Sequence, residues 1–76
     1  MIARTVDARG RSCPLPIVDL SREMIKAKPG EEVVVLADDA AFPADVAAWC
    51  RKTRNELVAL TSEGAGFKAV VRKVIT

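Results

Sequence analysis

Glu32-Val33-Val34-Val35-Leu36-Ala37, with Asp38-Asp39 directly behind it, decides the fold of this chain. It is the most hydrophobic run in the sequence, and an unbroken aliphatic stretch rich in β-branched residues reads as the central strand of a sheet. Upstream, Pro29-Gly30 closes a helix opened by Cys13-Pro14-Leu15-Pro16, since proline is tolerated in a first turn whose N–H groups have no intrahelical acceptor. Ile17, Leu20, Met24 and Ala27 form its buried stripe, and Lys26 and Lys28 complement its negative C-terminal end. Further upstream, Ile2 to Asp7 is a short strand and Asp7 to Ser12 a turn or loop. Downstream, Asp38-Asp39 is predicted to cap a second helix with Pro43 in its first turn, and Phe42, Val46, Trp49 and Cys50 fall on one face of it. Thr53-Arg54-Asn55 ends that helix. Leu57 to Ser62 and Phe67 to Ile75 follow as two strands joined through Glu63-Gly64-Ala65-Gly66, a glycine-bearing loop of hairpin length.

The order is therefore β-α-β-α-β-β in a single domain over residues 1–76. Crossovers that step in the same direction put both helices on one side of a sheet. The predicted fold class is an α/β two-layer sandwich of the α+β type, a mixed four-stranded sheet with two helices on one face and the other face open. Apolar residues stand at both parities, Val33 and Val35 against Val34 and Leu36, and Val58 and Leu60 against Leu57 and Ala59. Some of them must face outward, either as scattered surface aliphatics or as the surface of a partner or homodimer.

A chain of 76 residues buries only about 60% of its unfolded surface, so chemistry belongs at the surface rather than in a deep pocket. No apolar run is long enough to span a membrane, and Met1-Ile2-Ala3-Arg4 does not open a signal peptide, so the expected location is cytoplasmic. A net charge of +2 is too mild to identify a nucleic-acid binder. The chain has no His, which excludes Cys-His and Ser-His dyads. Its two cysteines, Cys13 and Cys50, are too few for an ordinary structural zinc site and too far apart for a C-x-x-C redox motif, so neither a metal nor a cofactor is expected. A lone thiolate is the best candidate to carry chemistry.

Cys13 follows a polar, Gly-containing loop and stands at the expected N-cap of the first helix. The positive helix end and a free N–H would favour a thiolate there. Pro16 has no N–H, so the Leu15 amide is the expected partner of the sulfur. Arg9 and Arg11 add positive potential, which Asp7 partly offsets. An accessible thiolate of low pKa with no general base suits sulfur or disulfide exchange better than acyl transfer.

These residues resemble the TusA-like, or SirA-like, sulfur carriers over nearly the whole chain. Asp7-Ala8-Arg9-Gly10 followed by Cys13-Pro14-Leu15-Pro16 resembles the family's Cys-Pro-x-Pro box and its lead-in. Lys28-Pro29-Gly30-Glu31, Ala37-Asp38-Asp39-Ala40, Ala48-Trp49-Cys50-Arg51-Lys52-Thr53, Asn55-Glu56-Leu57 and Val71-Arg72-Lys73 follow in the family's order. The resemblance implies that Cys13 carries sulfane sulfur as a covalent persulfide, received from a cysteine desulfurase or rhodanese and passed to an acceptor protein. It implies as destinations transfer RNA thiolation, molybdenum cofactor synthesis or dissimilatory sulfur oxidation, with Pro14, Leu15, Pro16, Arg9, Gly10 and Arg11 supporting the site. Two positions depart from the family pattern. Arg11 stands where an apolar residue is common, and Arg54 stands where Gly often ends the second helix, which would move a left-handed cap to Asn55.

Cys50 shares an apolar face with Val46 and Trp49 and is expected to be a buried structural cysteine. The alternative, a second thiol that pairs with Cys13 in a redox protein, needs their Cα atoms within about 7 Å. Arg51, Lys52 and Arg54 cluster at the end of the second helix, and Lys68, Arg72 and Lys73 lie on the last strand. They are read as a solvated face, or else as a docking patch for acidic partners or RNA. The other alternative is thus a non-catalytic RNA-binding or regulatory adaptor module, although direct nucleic-acid binding has few aromatics to stack on, only Phe42, Trp49 and Phe67.

Overall fold

The computed structural model describes residues 2–74. Its elements are β1 (Ile2–Asp7), α1 (Leu15–Lys26), β2 (Glu32–Ala37), α2 (Phe42–Thr53), β3 (Glu56–Glu63) and β4 (Gly66–Arg72). The strand order is β1-β2-β4-β3. β2 is central, parallel to β1 on one side and antiparallel to β4 on the other, and β3 pairs antiparallel with β4 at the far edge. The β2-α2-β3 crossover therefore steps over a slot that β4 fills by folding back through a tight turn at Gly64 and Ala65, with Gly64 at φ 58°. The sheet is mixed and both helices cover the same face of it, as the element pattern predicted.

That face holds the core. Val33, Val35 and Ala37 of β2 and Ala69 and Val71 of β4 are fully enclosed against Leu20 and Met24 of α1 and Phe42, Val46 and Cys50 of α2. Each fully buried large aliphatic or aromatic contributes roughly 1.5–3 kcal/mol of transfer free energy. On the opposite face, Glu32, Arg72 and Glu56 line up across β2, β4 and β3, with Arg72 bonded to both carboxylates at 2.8 and 2.9 Å. Val34 lies on this second face yet is only 4% exposed, because its neighbours in register are Val70 and Thr5 on the two adjoining strands.

Several local expectations are corrected. The register of β3 shifts between Leu57 and Ala59, so Leu57 and Leu60 both pack on the core while Val58 is 39% exposed. Simple alternation fails there because a bulge inserts one residue. β4 ends at Arg72, short of the predicted Ile75, which lies outside the described residues. Asp38-Asp39 does not cap α2: its cap is Ala41, the Asp39 carboxylate accepts from the Ala41 amide, and the Asp38 carboxylate accepts from the Gly10 amide. The left-handed residue at the end of α2 is Arg54 itself, at φ 62°, and not Asn55. The Asn55 amide instead reaches the Cys50 carbonyl at 3.0 Å.

Lys73, which the sequence placed on the last strand among basic residues, lies just past β4 and closes α1. Its ammonium donates to the Met24 and Ala27 carbonyls, both at 2.8 Å, which satisfies the Ala27 acceptor at the helix end and adds a second donor to Met24, whose carbonyl also accepts from the Ala27 amide.

Candidate functional site

Cys13 lies on the surface, in the turn that leads into α1. The turn is set by the loop before it. Ala8 to Arg11 forms a tight turn closed by the Arg11 amide on the Ala8 carbonyl, with Gly10 at φ 84°, a conformation that costs a side-chain-bearing residue. The Gly10 amide is held by Asp38, which ties the loop to the end of β2. Pro14 is the cap of α1 and Leu15 its first residue, so Cys13 stands one place before the position predicted for it. The Leu15 amide, expected to bond the sulfur, donates instead to the Ser12 carbonyl at 2.8 Å. Pro16 is buried, and Pro14 and Leu15 stay exposed.

The partner of the thiol is Asp45. Cys13 Sγ donates to Asp45 Oδ2 at 2.7 Å across 32 residues of sequence. Asp45 belongs to the first turn of α2, where a carboxylate complements the positive helix end. The hydrogen bond to Asp45 is the main reason that the Cys13 thiol is held above its ordinary pKa, with partial desolvation and the negative charges of Asp45 and Asp39 adding to it. The expectation of a depressed pKa is therefore overturned: a carboxylate sits where a backbone amide was anticipated.

The two arginines do not offset it. Arg9 is held by Asp7 through paired bonds of 2.8 Å, which keep that carboxyl down to about 2. Arg11 is engaged by Asp19 of α1 at 2.7 Å. Each spends its charge on a neighbouring carboxylate rather than on Cys13.

Cys13 forms one edge of a shallow cleft of about 270 Å³ between α1 and α2, lined also by Pro14, Ile17, Asp45, Ala48, Trp49 and Lys52. The thiol is thus flanked by apolar surface with one carboxylate and one ammonium at its margin. A somewhat larger hollow of about 320 Å³ beside the β3–β4 turn, between Arg9, Asp38 and Gly64, contains neither thiol. Cys50 is 3% exposed, inside the core, where burial pushes its thiol up to about 11. Of the three aromatics, Phe42 stacks on Phe67 at 6.5 Å between ring centroids, and Trp49 packs partly against the core while lining the cleft. Among the described residues, no helix is long and apolar enough to cross a membrane.

Fold and site together define a small α/β sandwich presenting one accessible thiol beside an apolar cleft. The sequence matches the family described as Sulfurtransferase TusA over residues 4–73, and the chain belongs to that family of sulfur carriers. Members interact with sulfur donors and acceptors. The fold is similar to that of a SirA-like protein from Desulfitobacterium hafniense, with a TM-score of 0.82 at 18% sequence identity, covering 96% of this chain and 100% of that one.

Proposed function

We propose that Cys13 is the sulfur-carrying residue, loaded as a persulfide by a donor protein and unloaded by an acceptor thiol. The observation that carries this reading is the exposure of Cys13 at the edge of the cleft while Cys50, the other cysteine, lies within the core. In loading, the Cys13 sulfur attacks the outer sulfur of a donor persulfide. A bond forms between Sγ and that sulfur, the donor's S–S bond breaks with its electron pair going to the donor thiolate, and the Cys13 proton ends on that thiolate. The exchange needs no outside oxidant, because the sulfur already stands at the sulfane level. Unloading repeats the same displacement on the acceptor.

The apolar cleft supports docking of both partners in turn, since it brings Pro14, Ile17, Ala48 and Trp49 next to the sulfur without enclosing it. A cysteine desulfurase or rhodanese is the proposed donor. The proposed acceptors serve transfer RNA thiolation, molybdenum cofactor supply or dissimilatory sulfur oxidation, in the cytoplasm. A disulfide between Cys13 and Cys50 would have to draw Cys50 out of the core, and with Phe42 and Phe67 stacked on each other only the half-buried Trp49 is left as an aromatic for RNA to stack on, so the carrier reading is preferred to both.

Intact-mass measurement after incubation with a persulfide donor tests the proposal. Wild type and Cys50→Ser should each gain one sulfur atom, removable by a thiol reductant, and Cys13→Ser should gain none. A wild type that stays unmodified while the donor is active contradicts it.

A further inference from the structure

We propose that Asp45 makes Cys13 a weak holder of sulfur, because its carboxylate accepts a hydrogen bond that only the unloaded thiol can donate. The inference rests on the carrier reading above and assigns a second residue to it. Sγ of the free thiol lies 2.7 Å from Asp45 Oδ2 and carries the proton between them. In the persulfide, Sγ is bonded to Cβ and to the outer sulfur and has no proton to give. Hydropersulfides are stronger acids than the parent thiols, so the loaded form also places negative charge on the outer sulfur, next to a carboxylate. Loading therefore exchanges an attraction for a repulsion, and discharge restores the attraction.

The other charged groups around the thiol do not cancel this. Asp39, in the turn before α2, adds negative potential. Arg9 and Arg11 from the preceding loop are paired with Asp7 and Asp19, and the start of α1 contributes only the uncharged Pro14 and Ile17 to the cleft. Lys52 of α2 is the cation lining the same cleft. It stands on the helix that carries Asp45, two turns further along, and it is not the partner of the thiol.

The transfer written for one carrier with another balances without a co-reactant. The outer sulfur moves from loaded chain to unloaded chain, one S–S bond breaks as one forms, and the thiol proton of the acceptor passes to the chain that has been discharged. The position of this equilibrium compares how strongly two carriers hold the same sulfur.

The test mixes persulfidated wild type with an equal amount of reduced Asp45→Ala, frees the mixture of small donors, and reads the sulfur on each chain by intact mass. A parallel run starts from loaded Asp45→Ala, so that both directions must converge. Because the pair is solvent-exposed and screened, sulfur should favour the variant by about two- to fivefold. Asp45→Asn, which keeps the size of the side chain and offers a donor to the persulfide, should favour sulfur at least as strongly. A purely structural role for Asp45 would leave the partition even between folded chains, as checked by circular dichroism. If both chains take up sulfur and share it equally, or wild type keeps more, the role of Asp45 is overturned while the carrier reading stands. If neither chain takes up sulfur, both fall.

Discussion

Cys50 offers a prediction whose size comes directly from its place in the core. At 3% exposure it is surrounded by Phe42, Val46 and the sheet, and burial pushes its thiol from 9.0 up to about 11. The native state keeps a proton that the unfolded chain releases, so stability is complete below the unfolded value and falls as pH rises toward the folded one. Each unit corresponds to about 1.4 kcal/mol, which gives a loss of about 1.4 kcal/mol by about pH 10 and about 2.3 kcal/mol by about pH 11, where the native thiol has itself begun to ionise. For a domain near the low end of the usual 5–15 kcal/mol of total stability, that is a large fraction. The assay is urea unfolding in a Cys13→Ser background, comparing chains with Cys50 and with Cys50→Ala between about pH 8 and about pH 10. The chain has no Tyr or His, and all lysines and arginines are common to both variants, so the difference between the two curves isolates Cys50. Removing the sulfur costs the alanine chain about 1 kcal/mol at the lower pH, and that gap should close as pH rises. Curves that stay parallel would refute the argument that Cys50 is a desolvated, structural thiol.

Asp45→Asn should bring the Cys13 pKa down toward its ordinary value and speed alkylation of Cys13 by iodoacetamide at neutral pH, because the largest cause of the upward shift is the Asp45 bond; an unchanged rate would contradict it. Arg9→Ala should raise the Asp7 carboxyl from about 2 toward its ordinary 3.8, read by carboxyl chemical shifts in an acid titration. Asp7 then stabilises the native loop at pH above its unfolded value and loses that contribution as pH falls through about 2 in wild type. Lys73→Met should cost about 1–3 kcal/mol in urea unfolding, since it strips the Ala27 carbonyl of its donor and leaves the Met24 carbonyl with the Ala27 amide alone.

The fold was legible because its signals are local. Val33-Val34-Val35-Leu36 marks a central strand, the Phe42, Val46 and Cys50 spacing marks a helix face, and proline near the start of each helix marks where it opens. What failed was whatever depends on contacts between distant segments or on one residue of register. The bulge at Val58 carries no compositional sign, and Arg54 in a left-handed conformation defies the preference that pointed to Asn55.

The site divides in the same way. Cys13 could be singled out from its box and its loop, but Asp45 could not, because 32 residues separate it from the sulfur and nothing in the sequence of α2 distinguishes it from an acid complementing the helix end. Missing Asp45 reversed the expected direction of the Cys13 pKa. Arg9 and Arg11 were credited to the thiol for a related reason: they are close to it in sequence, while their carboxylate partners are Asp7 on the strand before and Asp19 on the helix after.

Sγ of Cys13 is the atom proposed to hold and release sulfur. Loading the chain with isotope-labelled sulfane sulfur, then adding an excess of acceptor thiol and following the label by peptide mass spectrometry, tests that claim most directly. The label should appear on the peptide containing Cys13, leave it for the acceptor, and return Cys13 to a free thiol with Cys50 untouched throughout. Label on Cys50, or label that never enters the Cys13 peptide, would contradict the account.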